Sequence, residues 1–236
     1  MTRNVCMRCI MAGIERMNNS TTSAIVLLSK GFERGRAKTR LMPALGPDGA
    51  LAVHKALVQR ALDTCSAHDA SARDWDFRCH VAGDPAPLKA CLPAGHPTTW
   101  LPQASGDLGW RMQSAIADAH GAGYQRVVLV GSDCAVLTRE DLARGLAALA
   151  HNDFVMGPAE DGGYVLLGSA RPSAWLGAPV FSGVRFGGRY ALSDSLAALA
   201  PLGRVAQLAV CWDVDDIADV ERARSAGLLP QSIHIP

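Results

Sequence analysis

Charged side chains gather in four short clusters along this chain, and together they suit a site for phosphate and a divalent cation. The first is Lys30-Gly31-Phe32-Glu33-Arg34-Gly35-Arg36-Ala37-Lys38-Thr39-Arg40-Leu41. Two glycines permit a tight turn with exposed backbone N–H groups, and Lys30, Arg34, Arg36, Lys38 and Arg40 add cationic donors for phosphate. It is not a Walker A loop, which would need glycine where Phe32 and Ala37 stand, and the chain has no G-x-G-x-x-G. A solvated basic loop is the plainer alternative. The second cluster, Gly106-Asp107-Leu108-Gly109-Trp110-Arg111-Met112, lies at a loop-to-helix junction. Asp107 there either caps the helix or, with Gly106, lets a nucleoside approach the backbone.

The third cluster ends an apolar run, Val127-Val128-Leu129-Val130-Gly131-Ser132-Asp133-Cys134. A continuous run of aliphatic residues reads as a strand covered on both faces, so its first acidic residue emerges at the carboxyl end. Open α/β sheets bind ligands there. Asp133 beside two small residues has room for a hydrated cation and its phosphates, although an aspartate after a strand also serves as a turn former. The fourth cluster is split between Gly157-Pro158-Ala159-Glu160-Asp161-Gly162-Gly163-Tyr164 and Asp213-Val214-Asp215-Asp216. Asp-Gly-Gly between apolar runs is a hairpin signal. On an extended segment Asp213 and Asp215 point the same way and could present two carboxylates to one cation; otherwise Asp215 or Asp216 simply opens the last helix.

The elements that must position these groups alternate. The pattern predicts strands over 24–29, 75–82, 98–101, 127–131, 152–156, 164–167 and 205–210. Helices are predicted over 47–68, with Leu51, Val58, Leu62 and Cys65 inward, and 107–120, with Leu108, Met112, Ala115 and Ala119 inward. Others follow over 138–150, opened by a Thr138-x-x-Asp141 cap, 190–200 and 216–226. Alternation of this kind implies a mainly parallel sheet covered on both faces.

The 236 residues are 49% hydrophobic, enough for the core of one α/β domain, expected over 23–236. Formal net charge is +1, so no bulk field favours nucleic acid or anionic lipid. No apolar stretch approaches the roughly 20 residues of a membrane span, and Arg8 and Glu15 interrupt the early apolar residues. Residues 1–22 read as an N-terminal extension, with Met17 an alternative start. The seven cysteines form no compact framework, which suits reduced thiols in the cytoplasm. Cys6 and Cys9 form a C-x-x-C without the second pair that zinc would need. The histidines show no ordered pairing with Ser or Cys, so no covalent nucleophile stands out.

The order of these motifs along the chain resembles a bacterial GT-A-fold family. The carriers are Arg36-Ala37-Lys38-Thr39-Arg40-Leu41, Gly106-Asp107-Leu108-Gly109-x-Arg111-Met112, Gly131-Ser132-Asp133-Cys134, Gly157-Pro158-Ala159-x-Asp161-Gly162-Gly163-Tyr164 and Asp213-Val214-Asp215. Its members are nucleotide-diphospho-sugar transferase-like glycosyltransferases, some linked to arsenosugar biosynthesis, and more distantly similar to molybdenum-cofactor and 2-phospholactate guanylyltransferases. The chain departs from the pattern at Arg34-Gly35, at Ala135 and at Phe186. The resemblance implies a three-layer α/β/α fold of GT-A type with a divalent metal, Mg2+ or Mn2+. It places that metal on Asp133, Asp215 and Asp213. Nucleotide and phosphate would fall to Gly35, Arg36, Lys38, Arg40, Gly106 and Asp107, and sugar or acceptor to Asp161, Gly162 and Gly163. Lys38, Asp133 and Asp161 would carry catalysis. The implied activity is glycosyl transfer from a nucleotide sugar to a small-molecule acceptor. Nucleotidyl transfer from a nucleoside triphosphate and non-catalytic nucleotide binding stand as the alternatives.

Overall fold

The computed structural model describes residues 22–66 and 74–233. The Cys6/Cys9 pair and residues 1–21 of the expected extension lie outside them. Seven strands form one sheet in the order β3-β2-β1-β4-β6-β5-β7. These are β1 (Ser23–Lys30), β2 (Asp76–Ala82), β3 (Thr99–Pro102), β4 (Arg126–Gly131), β5 (Phe154–Pro158), β6 (Tyr164–Ser169) and β7 (Val205–Gln207). All neighbours run parallel except β6, which is antiparallel to both β4 and β5. The helices are α1 (Met42–Cys65), α2 (Ala86–Lys89), α3 (Leu108–Gly121), α4 (Arg139–Ala148), α5 (Ala191–Leu199) and α6 (Ile217–Ser225).

Alternation within each strand builds the two layers. Ile25 and Leu27 of β1 and Val128 and Val130 of β4 pack with Val58 and Leu62 of α1 and Leu142 and Leu146 of α4. Val26 and Leu28, with Val127 and Leu129, face the other way, toward Met112, Ala115, Ile116 and Ala119 of α3. Both faces of these strands are covered, which is why they read as unbroken apolar runs rather than alternating ones. The expected three-layer α/β/α architecture with a mainly parallel sheet is what forms.

The chain winds from β1 outward to β3 and then returns across β1 to lay β4 on its other side. The parallel register pairs Leu28 with Gly131, so β4 ends two residues short of the end of β1. Their carboxyl ends therefore border a topological switch point, where the two following loops diverge and leave a crevice. The loop after β1 delivers Lys38 there, and the loop after β4 delivers Asp133.

Some boundaries and faces differ from expectation. The first long helix starts at Met42 rather than Pro47, with a kink at Gly46 (φ 66°, ψ 172°) that accommodates Pro47. Its buried stripe runs through Ala50, Val53, His54, Leu57, Val58, Ala61, Leu62 and Cys65, leaving Leu51 only partly covered. Leu108, expected inward, is 47% exposed because it occupies the first turn of α3, at the rim of the crevice. Thr138 and Asp141 form the expected capping box of α4. Among the described residues no helix is long and apolar enough to cross a membrane.

Candidate active site

A cleft of about 390 Å³ opens at the switch point, within the roughly 300–1,000 Å³ range of small-molecule sites. Lys38 is part of its lining. The ammonium donates to the Val214 carbonyl and sits 3.0 Å from Asp133 Oδ2 and 3.4 Å from Asp215 Oδ1. Its side chain is 5% exposed, so these anionic partners replace nearly all of its water. The backbone at Lys38 is left-handed (φ 49°, ψ 43°), and among the described residues no other non-glycine has positive φ. Such a conformation costs on the order of 1–2 kcal/mol and persists where the surroundings hold a side chain to a task.

Asp213 and Asp215 reach the cleft from the extended segment before α6. That segment is tied to the end of β4 by a hydrogen bond from Val214 N to the Asp133 carbonyl, 3.0 Å. Two-residue periodicity then turns Val214 into the core and both carboxylates toward the opening. Helix entry is served instead by Asp216, whose carboxylate forms a capping box with Asp219. Asp215 is therefore free to face cations, and Arg40 Nη1 also contacts it at 2.7 Å. Asp161 completes the group: one oxygen each from Asp161, Asp213 and Asp215 lies within 4.8 Å of the other two. Burial, then the charges of Asp215 and Asp161, push the Asp213 carboxyl up to about 6.

The Asp-Gly-Gly turn is a hairpin between β5 and β6, as its sequence suggests. Asp161 Oδ1 accepts from Gly163 N at 2.8 Å, so the carboxylate also fixes the turn. Gly162 has φ 86°, and a Cβ there would lie 2.4 Å from the Arg189 carbonyl oxygen. The turn thus packs against the segment leading into α5, which Leu192 N ties to the Gly162 carbonyl at 2.9 Å.

Six of the residues assigned from sequence line the cleft: Lys38, Asp133, Asp161, Gly163, Asp213 and Asp215. The lining does not include Gly35, Arg36, Arg40, Gly106, Asp107 or Gly162. Arg36 is exposed on the outer side of the basic loop, where its carbonyl accepts from Lys30 Nζ at 3.1 Å, and Arg34 pairs with Asp48. Asp107 caps α3, accepting from Trp110 N at 2.8 Å, so the structural role offered for it is filled. The same junction contributes Leu108, Arg111 and Met112 to the wall instead.

His54, Gln103 and Tyr164 also line the cleft, and the sequence reading gave none of them a site role. His54 lies on the buried stripe of α1, with Nε2 3.3 Å from the Lys30 carbonyl, and burial pushes its imidazole down despite the opposing charge of Asp133. Its helical phase with Ala50, Leu57 and Val58 was the available signal. Gln103 Nε2 donates to the carbonyls of Ser29 (2.7 Å) and His80 (3.1 Å), bridging the ends of β1 and β2; nothing local in sequence marks that contact. Near the acidic group, Cys134 Sγ donates to the Trp212 carbonyl at 3.3 Å, and interaction with the Cys134 thiol lowers Cys211 to about 7.

A family model described as an uncharacterized protein conserved in bacteria (DUF2064) matches residues 52–188. The chain belongs to that family. No curated protein matches the sequence. Among solved structures, a candidate nucleotide-diphospho-sugar transferase from Desulfovibrio desulfuricans G20 is 32% identical, covers 90% of each chain and superposes with a TM-score of 0.75. The fold extends to distant structures. A nucleotidyl transferase from Methanothermobacter thermautotroptrophicus is 14% identical, covering 87% of this chain and 97% of its own, with a TM-score of 0.59. A 4-diphosphocytidyl-2C-methyl-D-erythritol synthase from Anaerococcus prevotii DSM 20548 is 10% identical, covering 87% and 98%, with a TM-score of 0.57. The DUF2064 chain therefore has the GT-A-type fold its motifs imply.

Proposed function

We propose that this chain is a metal-dependent transferase that takes a nucleotide-diphospho-sugar into the switch-point cleft and passes the sugar to a small-molecule acceptor. The observation that carries this reading is the convergence of Lys38, Asp133 and Asp215 between the ends of β1 and β4, with Asp161 and Asp213 alongside. The likeness to the Desulfovibrio protein supports the donor class.

The donor set fits a hard cation. Three carboxylates with oxygens within 4.8 Å of one another offer the oxygen ligands that Mg2+ and Mn2+ take. Asp133 and Asp215 already share one cation, the Lys38 ammonium, and so are placed to share another. A divalent ion bound there would supply Lewis-acid stabilisation of the charge that develops on a departing diphosphate. Lys38 is the chain's own contribution to the same task. Its ammonium is held in the cleft by fixed partners, so it is preorganised to meet phosphate oxygens with little rearrangement. Arg40, paired with Asp215, and Arg36, exposed on the outer side of the same basic loop, add positive field toward an entering nucleotide. Leu108, Arg111 and Met112 wall the side where a nucleoside would lie. Asp161 and Gly163 stand where sugar or acceptor would reach the diphosphate, and Asp161 would orient a hydroxyl or accept its proton.

Nucleotidyl transfer is the second reading, favoured by the placement of Lys38 in a basic loop directly after β1. Products separate the two. A thermal-shift screen of nucleoside di- and triphosphates and nucleotide sugars, each with Mg2+, Mn2+ or chelator, identifies the donor, because a ligand of the folded state raises its stability by mass action. Phosphorus NMR after incubation with acceptor pools should then show nucleoside diphosphate. Pyrophosphate would establish the second reading, and metal-dependent binding without turnover would reduce the chain to a nucleotide-binding protein.

A further inference from the structure

Phe186 lines the cleft with part of its surface open, whereas Phe181, five residues earlier, is 5% exposed and belongs to the core. A phenyl ring left partly uncovered forgoes some of its burial energy, yet the fold holds this one firmly. Arg185, the residue before it, is clamped to Asp194 of α5: Nε and Nη2 each donate to a carboxylate oxygen at 2.8 Å, and the backbone N donates at 3.1 Å. Phe186 N donates to the Val184 carbonyl at 3.1 Å. Its ring meets that of Phe181 near-perpendicularly, at 80° with 6.1 Å between centroids, a favoured aromatic geometry. Gly109 of α3 completes the seat, for a Cβ there would lie 3.1 Å from Phe186 Cε2 and 2.9 Å from Phe181 Cβ. Gly109 has no positive φ, and glycine weakens a helix, so the room it leaves for these two side chains is the reason for it. The same segment packs on the turn that carries Asp161, through the Arg189 backbone and the bond from Leu192 N to the Gly162 carbonyl. Ring and carboxylate are therefore positioned as one unit.

We propose that Phe186 is a stacking platform for the pyranose ring of the donor, and so the residue that distinguishes a nucleotide sugar from the bare nucleotide. This rests on the reading of the cleft as a nucleotide-sugar site. A pyranose carries hydroxyls around its rim and C–H groups on its faces. The rim suits Asp161, whose ionised carboxylate accepts hydrogen bonds. The C–H face is apolar and weakly positive, which suits the negative face of a phenyl ring. Met112, Tyr164 and Ala191 continue the apolar lining, and Gly187, next to the ring, places no side chain in the approach.

The test is calorimetry on the full-length protein with manganese, comparing UDP with UDP-glucose, GDP with GDP-mannose and dTDP with dTDP-glucose. In the pair that wild type binds most tightly, Phe186→Ala and Phe186→Leu should each weaken the sugar conjugate roughly three- to tenfold, the worth of one aromatic contact. Both should leave affinity for the nucleoside diphosphate unchanged, which also shows that the variants are folded. Phe186→Tyr, which keeps the ring, should bind the conjugate as wild type does. Equal weakening of both members of the pair would make Phe186 a structural residue of the cleft and overturn the platform. So would a Phe186→Leu variant that matches wild type, or a wild type that binds the diphosphate but not its conjugate. In each of these cases nucleotide binding still stands, whereas a wild type that binds none of the six ligands would end both readings.

Discussion

Lys38 is the residue on which the site turns, because it stands in the loop after β1 and pairs with Asp133 in the loop after β4. Lys38→Ala removes a preorganised cation opposite the diphosphate, and loss of one such donor costs roughly 10²–10³-fold in turnover. Steady-state kinetics on the identified donor should show that loss in kcat/KM, with Lys38→Arg recovering only part because a planar guanidinium does not replace a compact ammonium. Asp213 gives a second, pH-based expectation. Its carboxyl is pushed up to about 6 by burial and by the charges of Asp215 and Asp161. A proton therefore competes with any cation below that value. Manganese affinity measured by calorimetry should weaken roughly tenfold from pH 7 to pH 5, following protonation of one group, and Asp213→Asn should flatten that dependence. The stability sign is opposite to that of an ordinary ion-paired aspartate. The folded state holds the proton more tightly than the unfolded chain, so metal-free protein loses stability as pH rises from about 4 to 6. Asp213→Asn should accordingly raise the melting temperature at pH 7 and have little effect at pH 4.

At the scale of elements, the positioning devices are the hairpin of β5 and β6 and the extended segment before α6. Gly162→Ala would force a side chain into a positive-φ position and against the Arg189 backbone. A cost of roughly 1–3 kcal/mol is expected for such strain, visible in urea unfolding, together with weakened cation binding as Asp161 shifts. Asp216→Ala should cost about 1 kcal/mol through the lost cap and leave the cleft in place, since Asp215 rather than Asp216 faces Lys38. Elements of this kind were readable where one physical rule dominated. The unbroken apolar runs of β1 and β4 announced strands covered on both sides, and Asp133, expected to emerge beyond β4, lines the cleft there. Thr138 and Asp141 announced a helix start. What was not readable depends on contacts distant in sequence. The grouping of Asp161 with Asp213 and Asp215 requires the hairpin to fold beside the end of the sheet. Leu108 faces outward because the α3 entry borders the cleft, a fact that helical periodicity does not encode. The Gly46 kink lengthened α1 past a proline that local rules take as its start.

For the whole molecule, the order of strands explains why residues 175 positions apart in sequence, Arg40 and Asp215, meet in an ion pair. Reversal of the winding direction at β1 leaves a crevice, and the chain's phosphate-suited and acidic groups enter it from the loops after β1 and β4, the β5–β6 turn and the extended segment before α6. Ligand bound in that crevice stabilises the whole sheet: at a concentration 100 times its Kd it adds about 2.7 kcal/mol. The central claim is that Lys38, Asp133 and the group of Asp161, Asp213 and Asp215 grip one diphosphate together with one divalent cation. Its most direct test is calorimetric titration of a nucleoside diphosphate into wild-type protein and into Asp133→Ala and Asp215→Asn variants, with manganese or with chelator. The account predicts binding to wild type that depends on manganese and falls at least tenfold in either folded variant, the loss of one charged contact to the shared ligand. Equal affinity with and without manganese, or unchanged affinity in both variants, would contradict it.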